Sequence, residues 1–399
     1  MKKATFLFLF VLFVFSCKQV EKEKSYLVIL SMDGFRWDYT TKTQTPNFDK
    51  LAEMGVKAEA IIPSFPTKTF PNHYTMATGL YPDHHGIVMN SFYDSLLKKS
   101  YSIGNREAVG NGDFYGGEPV WVTAEKQGLT TASLFWVGSE AEIKGMRPTT
   151  WKPYVPNMPY GDRIDTVISW LNRPDDKRPD LIMWYFDQPD SDGHDFGPDS
   201  PEMVARIEHL DSLLGVFLNK LEKLPLADKV NLIVTSDHGM GSISDDRVVM
   251  LNQYLDTVWI KRIKGSNPAF LIEPKPGFDD EIELALKTVD HIKTWRKNQI
   301  PQRLHYGNNH RISEFIVVAD SAWSVFWDKK SKYLGGTHGY DNQNKDMHAI
   351  FYAVGPAFKP AYTHKAFNNV DLYNLMCKIL KLNPAPNDGE VSNILPMLD

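Results

Sequence analysis

Three uninterrupted apolar runs, each followed at once by acidic or Asp-His residues, constrain the fold of this chain more than any other feature. The runs are YLVIL (26–30), LIMWYF (181–186) and VNLIVT (230–235), and they lead into SMDG, DQPDSDGH and SDHG. Their length and their Val, Ile and aromatic content predict buried β-strands. Apolar runs without polar alternation are typical of parallel strands covered on both faces. Ligands of such sheets bind at the carboxyl ends of the strands, so the three polar clusters should meet at one edge.

The segments between these strands predict helices on both faces of a mostly parallel sheet, and one insertion. The section from about 249 to 334 combines a helix-like acidic stretch, a basic stretch and the strand-like EFIVVA. We interpret it as an insertion that caps the site and not as an independent domain. Residues 26–399 are therefore expected to form a single α/β catalytic domain. The other predicted elements are helices at 45–55, 201–224 and 370–382 and a strand at 348–355.

The N-terminus predicts export. Lys2 and Lys3 precede an apolar run that ends at Phe15; it is too short to span a bilayer as a helix and is typical of a signal peptide. VFSC (14–17) resembles a bacterial lipobox, in which the cysteine is lipidated; the alternative is an ordinary signal peptide with an incidental cysteine. We predict a signal peptide over 1–16, lipidation at Cys17 and a tether over 17–25. The protein would be an exported lipoprotein that contacts the membrane through its anchor only.

Composition excludes several classes of function. The 399 residues are 42% apolar and 23% charged, which is ordinary for a globular protein. The net charge of −5 offers no general basic surface, so we expect no stable nucleic-acid partner. After Cys17, the chain contains only Cys377, so the mature protein has no internal disulfide and no thiolate zinc site. Histidine and carboxylate side chains must hold any metal.

Six histidine and aspartate residues near the predicted strand ends fit a metal site. Zinc prefers imidazole and carboxylate ligands where thiolates are absent. A catalytic zinc usually takes three protein ligands, so six indicate two ions, an arrangement that suits in-line displacement at phosphorus. Each residue alone would more often be a solvated turn residue or a helix cap; their joint placement favours a site. The six are Asp33, Asp190, His194, Asp237, His238 and His338, mostly on glycine-bearing turns.

Six motifs occur in a fixed order from Tyr26 to the C-terminus: SMDGFRWDY, PTKTFPNHYTMATGLYPDHHGIVMN, FWVGSEAEI, PDSDGHDFGP, TSDHGM and GGTHGYDN. In this order they resemble the nucleotide pyrophosphatase/phosphodiesterase family of the alkaline phosphatase superfamily. The resemblance implies an alkaline-phosphatase-like core and two Zn²⁺ per chain. It also implies the ligand sets: Asp33, Asp237 and His238 for one ion, and Asp190, His194 and His338 for the other.

The same resemblance assigns roles around FPTKTFPNHY (65–74). It implies that Thr69 is the nucleophile, that its oxygen also approaches the first zinc, and that a phosphothreonine intermediate forms. Asn90 matches the family asparagine that hydrogen-bonds a phosphate oxygen. From the ten residues alone, Thr67 and Thr69 are equal candidates, and the spacing to Asn90 in the family motif favours Thr69.

Aromatic residues bear on the substrate. Phe70 follows the expected nucleophile, and Tyr154 falls where nucleotide-cleaving members resemble one another in carrying a base-stacking tyrosine. The alternative is that both are core aromatics. Trp136 and Glu140 are expected to line the same pocket, although the family often has aspartate in place of Glu140, which leaves a polar contact to the base open. Lys68 either attracts the phosphate or is a solvated loop lysine.

The expected function is cleavage of phosphodiester or pyrophosphate bonds in ATP-like, dinucleotide or sugar-nucleotide substrates to nucleoside 5′-monophosphates. The first alternative is a lipid or choline-phosphodiester hydrolase with the same two-metal site. A phosphate monoesterase is disfavoured, because no arginine occurs in the motifs beside Thr69. A binding protein on an enzyme scaffold is the remaining alternative, and the complete set of ligand residues disfavours it.

Overall fold

A computed structural model describes residues 24–328 and 334–399 of the chain. The predicted signal peptide (1–16), the lipidation site Cys17 and most of the tether (17–25) lie outside the described residues, so these remain predictions. Within the described ranges, no helix is both long enough and apolar enough to cross a lipid bilayer.

Strands of the described residues form one large central sheet and several small ones. In chain order they are Tyr26–Met32 (β1), Val56–Ala58 (β2), Ile61–Ile62 (β3), Ser91–Asp94 (β4), Lys99–Ser102 (β5), Thr131–Leu134 (β6), Thr150–Lys152 (β7), Leu181–Phe186 (β8), Val230–Thr235 (β9), Gly241–Ile243 (β10), Val248–Met250 (β11), Ile260–Ser266 (β12), Ala269–Pro274 (β13), Ile292–Arg296 (β14), Phe315–Ala319 (β15), Ser324–Phe326 (β16), Gly335–Thr337 (β17), Phe351–Val354 (β18), Tyr362–His364 (β19) and Phe367–Asn368 (β20).

The α-helices alternate with these strands over most of the described chain. They are Pro46–Met54 (α1), Thr69–Thr78 (α2), Pro82–His85 (α3), Arg106–Val109 (α4), Val120–Lys126 (α5), Tyr160–Leu171 (α6), Asp190–Phe196 (α7), Pro201–Leu221 (α8), Asp279–Leu286 (α9), Leu372–Ile379 (α10) and Val391–Ile394 (α11).

The central sheet has the strand order β19-β2-β18-β9-β1-β8-β6-β7. All of its strands run parallel except β18, which is antiparallel to both β9 and β2. This confirms the predicted α/β class with a mostly parallel sheet. Strands β8 and β9 have the predicted bounds, while β1 extends two residues further, to Met32. The predicted strand at 348–355 is β18, and the predicted helices correspond to α1, α8 and α10.

Strand β1 shows why its sequence is apolar throughout. Leu27 and Ile29 belong to a core cluster on one face of the sheet, with residues of α2, α5 and α10. Val28 and Leu30 belong to a second cluster on the other face, with residues of α1, α6 and α8. Fully burying an aliphatic side chain contributes about 1.5–3 kcal/mol, so both faces of this strand stabilise the centre of the fold.

The segment predicted as an insertion contains a four-stranded antiparallel sheet of order β12-β13-β15-β14. On one face, Leu271 and Ile316 join the core cluster of the main sheet. On the other face, Ile272 and Val317 pack in a separate cluster with Ile282 of α9. Because one face of the small sheet is completed by the main core, this packing supports an insertion; its boundaries of about 249 and 334 remain a prediction.

A tight turn after β1 joins the ends of three central strands. The Asp33 N–H donates to the Phe186 carbonyl of β8 (2.9 Å), and the Asp190 N–H donates to the Asp33 carbonyl (2.9 Å). Gly34 has a φ of +70°, a conformation that favours glycine, and its N–H donates to Asp237 Oδ1 (3.2 Å) after β9. A Cβ on Gly34 would lie 2.9 Å from the Asp190 Cα.

We expect Gly34→Ala to destabilise the protein more than Gly128→Ala. Both glycines have positive φ, +70° and +85°, which costs a non-glycine residue about 1–2 kcal/mol. Only a Cβ on Gly34 meets other atoms within 4 Å, so only that substitution must displace the Asp190 backbone. Urea denaturation would measure the difference, and zinc titration should show weaker binding for Gly34→Ala alone. Equal loss of stability and equal zinc binding would contradict this account of the turn.

Candidate active site and metal centre

The six predicted ligand residues lie in two triplets at the carboxyl edge of the central sheet. In each triplet, one ligand atom per residue lies within 4.8 Å of the others. The first triplet is Asp33, Asp237 and His238, all buried; the second is Asp190, His194 and His338. These are the groupings that the sequence resemblance implied. One expectation differs in detail: Asp190 and His194 are on the short helix α7, not on a turn, and the spacing of four residues places both on one helix face.

All three histidines are oriented by backbone carbonyl groups. The Nδ1–H of His194 donates to the carbonyl of Gly336, that of His238 to the carbonyl of Gly239, and that of His338 to the carbonyl of Thr67, each over 2.9 Å. With Nδ1 bonded to a carbonyl group, Nε2 is the ring nitrogen of each histidine that would bind a metal when the imidazole is neutral. The three Nε2 atoms lie 3.0–3.6 Å from carboxylate oxygens of their own triplets.

The carboxylates have oxygens that no protein group satisfies. Asp33 Oδ1, Asp190 Oδ1 and Asp237 Oδ2 are buried and have no hydrogen-bond partner. Burial and then the charge of Asp237 raise the pKa of Asp33 well above its usual value. Burial is the largest single influence on Asp237 and would raise its pKa, but the interactions with His238 and His73 together outweigh burial and hold that pKa well below its usual range. Unsatisfied buried carboxylates beside imidazoles whose Nε2 atoms face them fit a bound divalent cation, since buried charges otherwise require partners.

Thr69 and Thr67 have different surroundings, although they are two residues apart. Thr69 is the first residue of α2, half-buried, with Oγ1 3.2 Å from His238 Nε2. The hydroxyl of Thr67 is buried and fully engaged: it donates to the Tyr340 carbonyl and accepts from the Gly339 N–H, both over 3.0 Å. Of the two hydroxyls, only that of Thr69 is available to a ligand at the metal triplets.

Asn90 is fixed beside Thr69 through its side-chain oxygen. Asn90 Oδ1 accepts a hydrogen bond from the N–H of Phe70 over 3.1 Å. This bond orients the amide, so that Nδ2 is the group left to donate to a ligand. The structure thus brings the predicted asparagine to the start of α2, next to the predicted nucleophile.

A cavity of about 260 Å³ opens beside Thr69 and has aromatic walls. The predicted substrate residues Phe70, Trp136, Glu140 and Tyr154 line it, together with Asp33, Thr69 and Asp190 of the candidate centre. Trp136 is buried and its Nε1–H donates to the His73 carbonyl (3.1 Å), so it forms part of the floor. Phe70 and Tyr154 are half-buried, which leaves ring surface for a ligand.

Glu140 holds the cavity wall in place. One of its oxygens accepts the N–H of Tyr154 over 3.0 Å, and the other accepts from Arg106. Its carboxylate therefore positions Tyr154. Lys68 does not line this cavity: its buried ammonium donates to the Asn267 carbonyl over 2.7 Å, and burial lowers its pKa to about 7. The predicted attraction of Lys68 for phosphate remains a prediction.

Two residues of the site did not stand out in the sequence. Tyr185 donates its hydroxyl to Asp33 Oδ2 (2.6 Å) and lines the cavity. In the sequence it lies inside an apolar run, and its position opposite Ser31 in the sheet follows only from the structure. Arg106 is the first residue of the short helix α4, in a segment without any motif, so no sequence signal pointed to it. His73, interpreted as structural, is outside both triplets but has Nδ1 3.3 Å from Asp237 Oδ2.

A mostly parallel α/β sheet with two histidine–carboxylate triplets and a threonine hydroxyl at its carboxyl edge defines a protein of the alkaline-phosphatase-like class. Comparison with known proteins agrees and is more specific. Residues 27–341 match the family described as type I phosphodiesterase / nucleotide pyrophosphatase. The chain therefore belongs to this family, the nucleotide pyrophosphatases/phosphodiesterases of the alkaline phosphatase superfamily.

Individual relatives support this assignment. A venom phosphodiesterase of Crotalus durissus collilineatus is 41% identical over 378 residues, covering 92% of this chain and 46% of its own length. Human ectonucleotide pyrophosphatase/phosphodiesterase family member 5 is 37% identical, covering 95% and 79%. A solved structure of murine ectonucleotide pyrophosphatase/phosphodiesterase 5 superposes on this chain with a TM-score of 0.91 at 38% sequence identity. The match covers 94% of this chain and all of the murine one, which is an inactive threonine-to-alanine variant in complex with AMP. The chain spans about half the length of the venom enzymes it matches.

We expect zinc to stabilise the protein and Asp33→Asn to weaken that effect. A cation at the first triplet would relieve the repulsion between Asp33 and Asp237, and a ligand at about 100 times its Kd adds about 2.7 kcal/mol of stability. Thermal unfolding with chelator and with added zinc would measure it. Asp211→Asn is the control, since this buried carboxylate accepts the N–H groups of Asn47 and Phe48: it should lower Tm equally with and without zinc. A zinc shift unchanged by Asp33→Asn would contradict the proposed ligand set.

Proposed function

We propose that this protein is a zinc-dependent hydrolase that cleaves phosphodiester or pyrophosphate bonds of nucleotides and releases nucleoside 5′-monophosphates. The observation that carries the proposal is the position of Thr69. Its hydroxyl lies 3.2 Å from His238 of one metal triplet and faces a cavity that Phe70, Tyr154 and Asp190 of the other triplet also line. A phosphoryl group next to Thr69 would therefore adjoin both triplets and have an aromatic slot for its nucleoside.

The residues present fit two zinc ions. Asp33, Asp237 and His238 would hold one, with Thr69 Oγ1 close to it, and Asp190, His194 and His338 would hold the other. When bound, the ions would lower the pKa of nearby oxygen groups and stabilise negative charge on the phosphoryl and leaving oxygens. Tyr185 would keep Asp33 oriented through the hydrogen bond to Oδ2.

The chain itself supplies the nucleophile and its orientation. Thr69 Oγ1 would form a bond to phosphorus while the bond to the leaving oxygen breaks, which gives a nucleotidyl-threonine intermediate. Water would then form the new bond to phosphorus as the bond to Oγ1 breaks, and the nucleoside 5′-monophosphate leaves. Thr69 begins helix α2, and the partial positive charge of a helix N-terminus favours the anionic group bound there.

Asn90 would bind a non-bridging phosphoryl oxygen. Its Oδ1 is occupied by the Phe70 N–H, so Nδ2 would be the donor. A preorganised donor of this kind often contributes about 3 kcal/mol to lowering the barrier. The same bond links the positions of Asn90 and Phe70, so the phosphoryl contact and one wall of the nucleoside slot are set together.

Phe70 and Tyr154 would hold the nucleobase by stacking, which tolerates different bases. The AMP complex of the murine relative, which is 38% identical, supports a nucleotide as substrate. The inactivity of its threonine-to-alanine variant is in line with a threonine nucleophile.

A panel of three chromogenic esters tests the function. We expect the p-nitrophenyl ester of thymidine 5′-monophosphate to be cleaved with higher kcat/KM than p-nitrophenyl phosphorylcholine or p-nitrophenyl phosphate, because only the first has a base to stack. Chelator should abolish the activity and zinc restore it. Tyr154→Ala should lower kcat/KM for the nucleotide ester about 5- to 150-fold, since stacking is worth about 1–3 kcal/mol. Preference for the choline ester would favour a choline-phosphodiester hydrolase, and no zinc-dependent turnover at all would favour a binding protein.

Thr69→Ala and Thr67→Ala should have opposite effects. Loss of the nucleophile should lower kcat about a thousandfold or more with little change in unfolding free energy, because the Thr69 hydroxyl is half-exposed. Thr67→Ala should keep much of the turnover but cost about 1–3 kcal/mol of stability, since it leaves the Tyr340 carbonyl and the Gly339 N–H without their partner. Steady-state kinetics and urea denaturation of both variants measure this; inactivity of Thr67→Ala with a folded, active Thr69→Ala would reverse the assignment.

A further inference from the structure

We propose that Arg163, in helix α6, fixes the aromatic wall of the nucleoside slot and thereby sets the preference of the site for substrates that carry a base. Arg163 does not line the cavity, so it is a positioning residue that acts through Tyr154. This inference rests on the proposed hydrolase function and deepens it, because it assigns the side chain that keeps the stacking ring in place.

The loop that carries Tyr154 has little structure of its own. Residues 153–159 lie between strand β7, at the edge of the central sheet, and helix α6. Most of their side chains are exposed. Glu140 holds the loop at its start, because it accepts the N–H of Tyr154 over 3.0 Å. A segment with few buried contacts keeps one position only if other parts of the chain hold it.

Arg163 holds the same loop at its other end. Its guanidinium contacts two carbonyl groups of the loop, one carbonyl group of strand β8 and one carboxylate just after that strand. These partners are the carbonyl groups of Pro156, Met158 and Tyr185, each at 3.1 Å, and Asp187 Oδ1 at 2.9 Å. One planar group therefore links the loop of Tyr154 to the end of a central strand.

The guanidinium of Arg163 is enclosed as well as hydrogen-bonded. The side chain is only 1% exposed, and its Cζ lies 4.9–5.9 Å from the ring centroids of Phe135, Tyr160 and Phe186. The ring of Phe135 lines the slot and meets the ring of Tyr154 edge-on, with centroids 5.3 Å apart. Arg163 thus supports Tyr154 in two ways, through the backbone of its loop and through the ring of Phe135.

The position of Tyr154 matters because stacking needs two rings at a set separation. Phe70 is fixed on its side of the slot by the hydrogen bond of its N–H to Asn90, whereas Tyr154 depends on its loop. The strand end that Arg163 grips contains Tyr185, whose hydroxyl orients Asp33. The same guanidinium therefore relates the wall for the base to the metal centre.

Arg163→Lys should lower the preference for a nucleotide, since a single ammonium group cannot reach acceptors on two separate segments as the planar guanidinium does. The substrates are the p-nitrophenyl ester of thymidine 5′-monophosphate and methyl p-nitrophenyl phosphate, which has the same leaving group and no base. We expect the ratio of their kcat/KM values to fall about tenfold, mainly through a higher KM for the nucleotide ester, as weaker stacking implies. A role in folding alone would lower both values equally and leave the ratio unchanged.

The same substitution in a Tyr154→Ala background shows whether Arg163 acts through Tyr154. We expect Arg163→Lys to change the ratio there by less than about twofold, because no ring is left to position, so the two substitutions should be strongly non-additive. A further tenfold fall in the double variant would overturn the proposal, and so would an unchanged ratio in folded Arg163→Lys alone.

Arg178→Lys is the matched control. This mostly buried arginine donates to the carbonyl of Leu171, at the other end of α6, over 2.7 Å, and to the Tyr26 hydroxyl over 3.0 Å. Because Tyr26 begins β1, these contacts lie at the sheet edge opposite the site. Arg178→Lys should lower Tm and keep the ratio within about twofold of the wild-type value.

Binding of AMP and of inorganic phosphate to the zinc-loaded protein gives a second readout that does not need turnover. Calorimetric titration of Arg163→Lys should show about tenfold weaker binding of AMP and unchanged binding of phosphate; equal weakening of both would contradict the proposed role. Should Arg163→Lys not fold, Arg163→Gln avoids a buried charge, with the same expected loss. Failure of the wild type to cleave either ester with zinc present would overturn the proposed hydrolase function, while the titrations would still decide the role of Arg163.

Discussion

The convergence of Asp33, Asp190 and Asp237 at one edge of the sheet is the constraint on which the rest of the site depends. Parallel strands β1, β8 and β9 deliver the three carboxylates to the same edge, and the hydrogen bonds from Asp33 to Phe186 and from Asp190 to Asp33 lock the turns together. Each carboxylate keeps one buried oxygen without a protein donor. Such an arrangement is electrostatically unfavourable without cations, so the fold that brings the three carboxylates together also favours bound metal ions.

The groups around the three carboxylates are all arranged in a way that suits bound cations. Carbonyl groups fix the three imidazoles in the orientation that suits a metal. Tyr185 donates to the oxygen of Asp33 that does not face His238. His73 connects the Thr69 carbonyl, the Ser31 hydroxyl and Asp237, so the start of α2 and the first triplet are positioned by one buried ring.

Much of this could be predicted from the sequence, for identifiable reasons. Strands β8 and β9 are apolar on both faces, so their limits coincide with the change to acidic residues. The six ligand-type residues were found near predicted strand ends, and their grouping into two triplets was implied by the family resemblance. Local patterns do not record side-chain contacts across the sheet, which is why Tyr185 was not recognised. Arg106 was not recognised either, because its pairing with Glu140 joins the start of the four-residue helix α4 to a turn, and neither has a periodic pattern. The ten residues around Thr67 and Thr69 could not separate the two hydroxyls, whereas the hydrogen bonds of Thr67 to Tyr340 and Gly339 do so directly.

The buried ammonium of Lys68 bears on how substrates enter. Its hydrogen bond to Asn267 joins the nucleophile loop to the predicted insertion, and a buried donor that loses its partner costs about 1–3 kcal/mol. Swinging the insertion outward would break this bond, so it is poorly suited to act as a moving lid. Exchange of substrate and product would instead proceed through the open mouth of the cavity beside Thr69, with the catalytic groups already in position before the substrate arrives.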